Sequence, residues 1–199
     1  LIEKAKNIKE VFILGPALAS IKGSIHQSYW GETSLINTIF SIYHLDFLNI
    51  TKNYTFKKNS EIEVNSISGG AFFLAKKTFE DFQGFDENLF WMEDIDFCKR
   101  VKDKGHKVLY SQITKIIHYV GKSSLTNYKI SVSNQLISKI KFFKKHYSSL
   151  SKNIITINIL IISTIKVVLF VALSPFSAIY RKKLFAYFYT INKIIFKRF

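Results

Sequence analysis

The chain is poor in cysteine, glycine and proline, and residues 122–199 contain no acid at all. One cysteine among 199 residues, Cys98, excludes an internal disulfide framework and any cysteine-based zinc site. The fold is held by packing alone, and a reducing compartment is the simplest setting. Eight glycines and two prolines are too few for a collagen-like or low-complexity chain, and no internal repeat is present. The opening LIEKAKNIKE lacks the charged start, apolar core and small-residue cleavage site of a signal peptide. From residue 122 on there are 14 Lys and Arg and not one Asp or Glu, whereas residues 1 to 121 hold 15 basic against 14 acidic residues. The net charge of +15 therefore belongs almost wholly to the tail.

What is present is apolar and aromatic: 48% hydrophobic residues, with 19 Phe and 10 Tyr. That is enough for one sizeable core plus an appendage. The expected division is a balanced globular domain over 1–150 and a basic, hydrophobic helical tail over 151–199. Within the tail, Ile154 to Ser174 carries a single charge, Lys166. As a helix this stretch would be about 31 Å long, enough to cross a bilayer core. Lys166 near its centre would cost roughly 2.5–3.5 kcal/mol to insert. Thr156, Asn158, Ser163 and Lys166 share one half of the wheel, which favours a helix lying in the interface. Flanking cations and aromatics suit an anionic membrane surface. A soluble helical hairpin with solvated lysines is the alternative, and nucleic acid is not expected as a partner, because such a tail needs no apolar run of this length.

The front domain reads as mixed α/β. VFILGPAL, Val11 to Leu18, is expected to be a buried strand closed by a turn at Gly15-Pro16. SISGGAFFLAKK suggests a strand whose paired glycines admit a close neighbour or a bulge. HKVLYS and KIIHYV are two further strand candidates. Between them NLFWMEDIDFCKRVKDKG predicts a helix from about Glu93 to Lys104, stopped by Gly105. Its first-turn acids complement the helix dipole. Asp96 and Arg100 are spaced as an i,i+4 pair, worth a few tenths of a kcal/mol. Asp94 differs, because Phe97, Cys98 and Val101 continue its face as an apolar stripe. A carboxylate on the buried edge of a helix is costly unless paired or used, which makes Asp94 a candidate general base at the rim of a cleft.

A Ser-Gly-Gly-Ala segment, a Gly-Phe-Asp-Glu turn, the Phe90-Trp91 pair, Glu-Asp-x-Asp opening a helix, and His118 followed by Gly and Ser occur in that order. Together they resemble the second half of the catalytic domain of family 2 glycosyltransferases, in particular the rhamnosyltransferase and galactofuranosyltransferase-like branch. The resemblance extends from about Val11 to Tyr147. It implies an α/β GT-A fold, here incomplete and followed by a membrane-associated helical region on the cytoplasmic face of the cell membrane. It implies inverting transfer of a sugar from a nucleoside-diphosphate donor to a hydroxyl of a glycan or lipid-linked acceptor, in cell-surface polysaccharide synthesis. By the same resemblance Asp94 is the catalytic base, Glu93 lies beside it, and Trp91 stacks on a sugar face. Gly69 and Gly70 let backbone pass close to a sugar, and His118 helps hold a divalent metal, Mg or Mn, or the diphosphate; a core-satisfied strand histidine is the alternative for His118. Gln83 and Gln112 stand where the family often has Gly and Pro. Residues 1–60 contain one Asp, Asp46, and no Asp-x-Asp, so the metal-binding acids are expected upstream or on a partner chain. A non-catalytic membrane-binding remnant of such an enzyme is the rival expectation.

Overall fold

A computed structural model describes residues 12–48, 61–119 and 127–196. These divide into two compact units. The first draws on the described parts of Leu1–Thr33, Thr51–Asn88 and Glu93–Val120; the second on those of Ser34–Ile50, Leu89–Met92 and Gly121–Phe199. The change from balanced to basic composition at residue 122 falls next to the start of the last of these segments.

In the first unit, β1 (Phe12–Ala19) and β6 (Lys107–Ile117) run parallel at the centre of a four-stranded mixed sheet. Strand β2 (Ile25–His26) pairs antiparallel with β1, and β4 (Glu61–Glu63) antiparallel with β6, giving the order β2-β1-β6-β4. A two-stranded antiparallel ribbon joins β3 (Tyr29–Trp30) to β5 (Ser66–Ile67). Two helices complete the unit, α2 (Lys76–Asp81) and α3 (Glu93–Asp103).

Three expectations are corrected here. Gly15-Pro16 does not end the first strand: β1 runs through both residues, and its pairing with β6 shifts register between Pro16 and Ala17. The bulge accommodates a proline that has no N–H for the ladder. A Cβ on Gly15 would come within 2.6 Å of Ile67 Cδ1, so this glycine serves close packing. The two strand candidates before and after Gln112 are one strand of 11 residues. The glycine-containing segment is strand only at Ser66–Ile67, then leaves the ribbon and returns as a bridge in which Phe73 and Leu14 exchange both backbone hydrogen bonds at 2.9 Å. Val11, Val120 and the Gly-Ser after His118 lie outside the described residues.

The core of this unit gathers Ile13, Ala17, Val64, Ile67, Phe97, Cys98, Val101, Val108 and Tyr110. Phe97, on α3, is ringed by Phe72, Phe79, Phe82 and Phe85 at centroid distances of 6.3, 5.5, 6.4 and 5.5 Å. The expected apolar stripe of α3 is buried as read: Phe97, Cys98 and Val101 are fully enclosed. Helix α3 ends at Asp103, and Gly105 has φ +84°, as a left-handed residue after a helix requires.

The second unit is helical. It contains α1 (Leu35–Ile42), α4 (Tyr128–His146), α5 (Ser149–Leu173) and α6 (Ala178–Ile195). Ser34, Ser148 and Ser177 cap α1, α5 and α6 by accepting from Asn37, Ser151 and Ile179 N–H groups. Helix α5 meets the length and apolarity needed to cross a membrane. Some of its polar residues turn toward the neighbouring helices, while Asn153 and Thr164 are exposed. Ser163 is buried, Asn158 Oδ1 accepts from the Tyr43 hydroxyl at 3.1 Å, and Lys166 Nζ lies 2.9 Å from both His44 Nε2 and the Tyr187 hydroxyl. The face opposite Lys166 is open and mostly apolar, interrupted by the exposed Thr164: Ile157, Ile161, Ile165, Val168 and Val171 are 46 to 67% exposed.

Candidate active site

Three segments of the first unit bring four of the expected site residues together. The end of β5 runs into the turn Ser68-Gly69-Gly70, α3 presents its first turn, and β6 ends just before His118. Ser68 N–H donates to the Ser28 carbonyl at 2.9 Å, and the Ser68 hydroxyl accepts from Gly70 N–H at 3.2 Å. This fixes the turn. Gly69 N–H then donates to Asp94 Oδ2 at 2.8 Å. On the other side, His118 N–H donates to the Ala19 carbonyl at 2.9 Å, anchoring the half-buried His118 at the end of the central strand pair.

A Cβ would crowd this turn at position 70 and would only reach ordinary contact distance at position 69. A Cβ at position 69 would sit 3.4 Å from Asp94 Cβ and 3.5 Å from its Oδ2; one at position 70 would sit 3.0 Å from Leu18 Cδ1 and 3.3 Å from His118 Nε2. The paired glycines are thus a backbone floor between a carboxylate and an imidazole, not a bulge in a ladder. Ser68, which holds that floor, entered the sequence reading only as the first residue of the Ser-Gly-Gly-Ala segment and was given no role of its own there.

Asp94 accepts a second hydrogen bond on Oδ1 from Ile95 N–H at 2.7 Å. Each carboxylate oxygen keeps a further lone pair, so both remain able to accept from a bound hydroxyl. Burial pushes the Asp94 pKa up to about 6, opposed by the Gly69 N–H and reinforced by the negative charge of Glu93. A base with that affinity is mostly ionised at neutral pH and still holds a proton far better than a solvated aspartate. Glu93 therefore acts on Asp94 through its field.

Asp96 faces the other way. It is 0% exposed, and its Oδ2 accepts from Arg100 Nε at 2.8 Å. Arg100 also donates to the carbonyls of Phe82 and, at 2.6 Å, of Gly84, and lies over the Phe97 ring at 5.2 Å. The surface-pair energy expected for Asp96 and Arg100 is corrected to that of a buried clasp, which ties α3 to the turn after α2.

Trp91 belongs to the second unit. It is exposed, packs edge-to-face on Phe90 at 6.3 Å, and has φ +92°. Such a backbone is strained for a residue with a bulky side chain, and strain of this kind collects at functional positions. Among the described residues no three His, Cys, Asp or Glu side chains form a group able to hold a metal ion. The ligand set for Mg or Mn is therefore not gathered around His118 by those residues, which offer it an imidazole without the accompanying acids.

A family model described as the N-terminal domain of galactosyltransferase matches residues 52–122. No curated protein matches the chain. The matched segment is similar to a GT-A-like galactosyltransferase domain and supports glycosyltransferase activity in general. It contains Gly69, Gly70, Trp91, Glu93, Asp94 and His118, every residue singled out for the site.

Proposed function

We propose that the protein is an inverting glycosyltransferase in which Asp94 is the general base. The observation that carries this reading is the Asp94 carboxylate, held by the Gly69 and Ile95 N–H groups with a raised proton affinity, inside the segment similar to a galactosyltransferase domain. The acceptor hydroxyl lies against the Gly69-Gly70 floor and gives its proton to Asp94 as its oxygen bonds to the anomeric carbon. The nucleoside diphosphate leaves from the opposite face, so the configuration inverts. His118 borders the diphosphate, and Trp91 offers an aromatic face to a sugar. Mg or Mn, where used, needs acids beyond the described residues, supplied elsewhere or by a partner chain. The donor class is a rhamnose- or galactofuranose-type sugar nucleotide, and the acceptor a glycan or lipid-linked saccharide of the cell surface. The second unit holds the enzyme on the cytoplasmic face of an anionic membrane.

The test is diphosphate release from a panel of sugar nucleotides in the presence of membrane-derived acceptor, for the wild type and Asp94→Asn. A positioned base is worth about 10²–10⁴ in rate, and the variant should lose that much with its fold intact. A loss below about tenfold, or no turnover by the wild type with any donor, would favour a non-catalytic membrane-binding remnant.

A further inference from the structure

The second unit carries a cleft that the transfer chemistry does not use. It lies between the start of α4 and the last turns of α6, has a volume of about 830 Å³, and is lined by Lys129, Phe185, Phe188, Tyr189, Asn192 and Lys193. Its two ammonium groups converge on one ring: Lys129 Nζ is 4.8 Å and Lys193 Nζ 5.3 Å from the Tyr189 centroid. Residues 122–199 contain no acid that could neutralise them. Two ammonium groups and an Asn amide lining one cleft suit a doubly charged oxyanion, since ammonium groups bind phosphate oxygens as point charges.

The remaining wall is apolar. Phe185 and Phe188 are 61% and 54% exposed, more than a free inorganic anion would call for. An exposed aromatic wall next to a dianion receptor fits an amphiphile whose charged head and hydrocarbon chain are covalently joined. A phosphate monoester or diphosphate carries about two negative charges at neutral pH, matching the two lysines, whereas the diester of an ordinary phospholipid carries one.

We propose that this cleft binds the headgroup of a long-chain lipid phosphate, with Lys129, Lys193 and Asn192 on the phosphate oxygens and Phe185 and Phe188 against the first carbons of the chain. The inference deepens the acceptor side of the proposed activity and rests on that reading only for the step from bound lipid to acceptor. Binding itself stands apart from catalysis.

The experiment is flotation of the whole protein with neutral phosphatidylcholine vesicles doped either with phosphatidylglycerol or with a polyprenyl phosphate, at equal surface charge. The expected result is a preference of about fivefold or more for the polyprenyl phosphate. K129Q/K193Q should abolish the preference. K144Q/K182Q, which removes the same charge from exposed positions elsewhere in the unit, should lower binding to both vesicles equally and leave the preference intact. No preference in the wild type, or equal loss of it in the two variants, overturns the site. Competition by millimolar inorganic phosphate or pyrophosphate that erases vesicle preference would assign the cleft to a soluble anion and overturn the lipid assignment. A preference that survives while Asp94→Asn has no catalytic effect would retain the cleft and remove the glycosyltransferase reading, so the two failures are distinct.

Discussion

Asp94, the proposed base, carries its raised proton affinity at the expense of stability. In the unfolded chain it titrates near 3.8, and in the folded protein burial moves it to about 6. Between those values the folded state binds more protons than the unfolded one, so stability falls as pH rises from about 4 to 6 and stays lower above. The shift corresponds to at most about 3 kcal/mol at 1.36 kcal/mol per unit. Asp94→Asn has nothing to titrate there. Its stability relative to wild type should therefore climb across that window, as read by urea midpoints at a series of pH values; a constant difference would show that Asp94 is not held in a raised state. Activity should move oppositely, rising from pH 5 to 7 as the base ionises and levelling above. The residue was legible in the sequence because its helix face is apolar. Its hydrogen bond from Gly69 was not, since 25 residues separate the partners and only the tertiary fold closes that distance.

At the scale of elements, α3 shows what spacing alone can and cannot say. The helix, its apolar stripe and its glycine stop followed from periodicity and end signals, and all three were found. The worth of the Asp96–Arg100 pair did not follow, because i,i+4 spacing is the same on a solvated and a buried face. Removing one partner of a buried pair leaves an unsatisfied charge and costs about 3–5 kcal/mol, against a few tenths at a surface. Arg100→Met should fall in the larger range, since it also frees the carbonyls of Phe82 and Gly84. Asp96→Asn should destabilise as well, while Asp94→Asn does not. Thermal or urea unfolding of the three variants at pH 7 measures this, and a loss under 1 kcal/mol for Arg100→Met would contradict the clasp. The strand errors have a similar source. Gly15-Pro16 reads as a turn by composition, but a missing Cβ also suits a strand packed tightly against Ile67, and only the neighbour decides between them.

At the scale of the whole molecule, the surplus of Lys and Arg and the exposed apolar stripe of α5 fall in the same unit. In the second unit Asn158, Ser163 and Lys166 of α5 turn inward, with Lys166 held by His44 and Tyr187, and the outward stripe is Ile157, Ile161, Ile165, Val168 and Val171, interrupted by Thr164. The sequence revealed that Thr156, Asn158, Ser163 and Lys166 share a half of the helix, but the direction of that half is decided by the helices packed around it. A soluble hairpin would turn its polar half to water. An apolar stripe of this length amid a surplus of Lys and Arg instead suits an anionic bilayer, where burial of the stripe and attraction of the cations add. The two contributions separate by salt, because screening weakens attraction between exposed charges and leaves apolar burial untouched. I161E/V168E should abolish flotation with phosphatidylglycerol-containing vesicles at high salt and leave a weak residue at low salt, whereas K144Q/K182Q should weaken binding at low salt and change it little at high salt. Circular dichroism of the vesicle-free proteins checks that both variants keep their helices. Unchanged high-salt binding of I161E/V168E would mean that α5 does not face the lipid and that its exposed stripe is covered by protein.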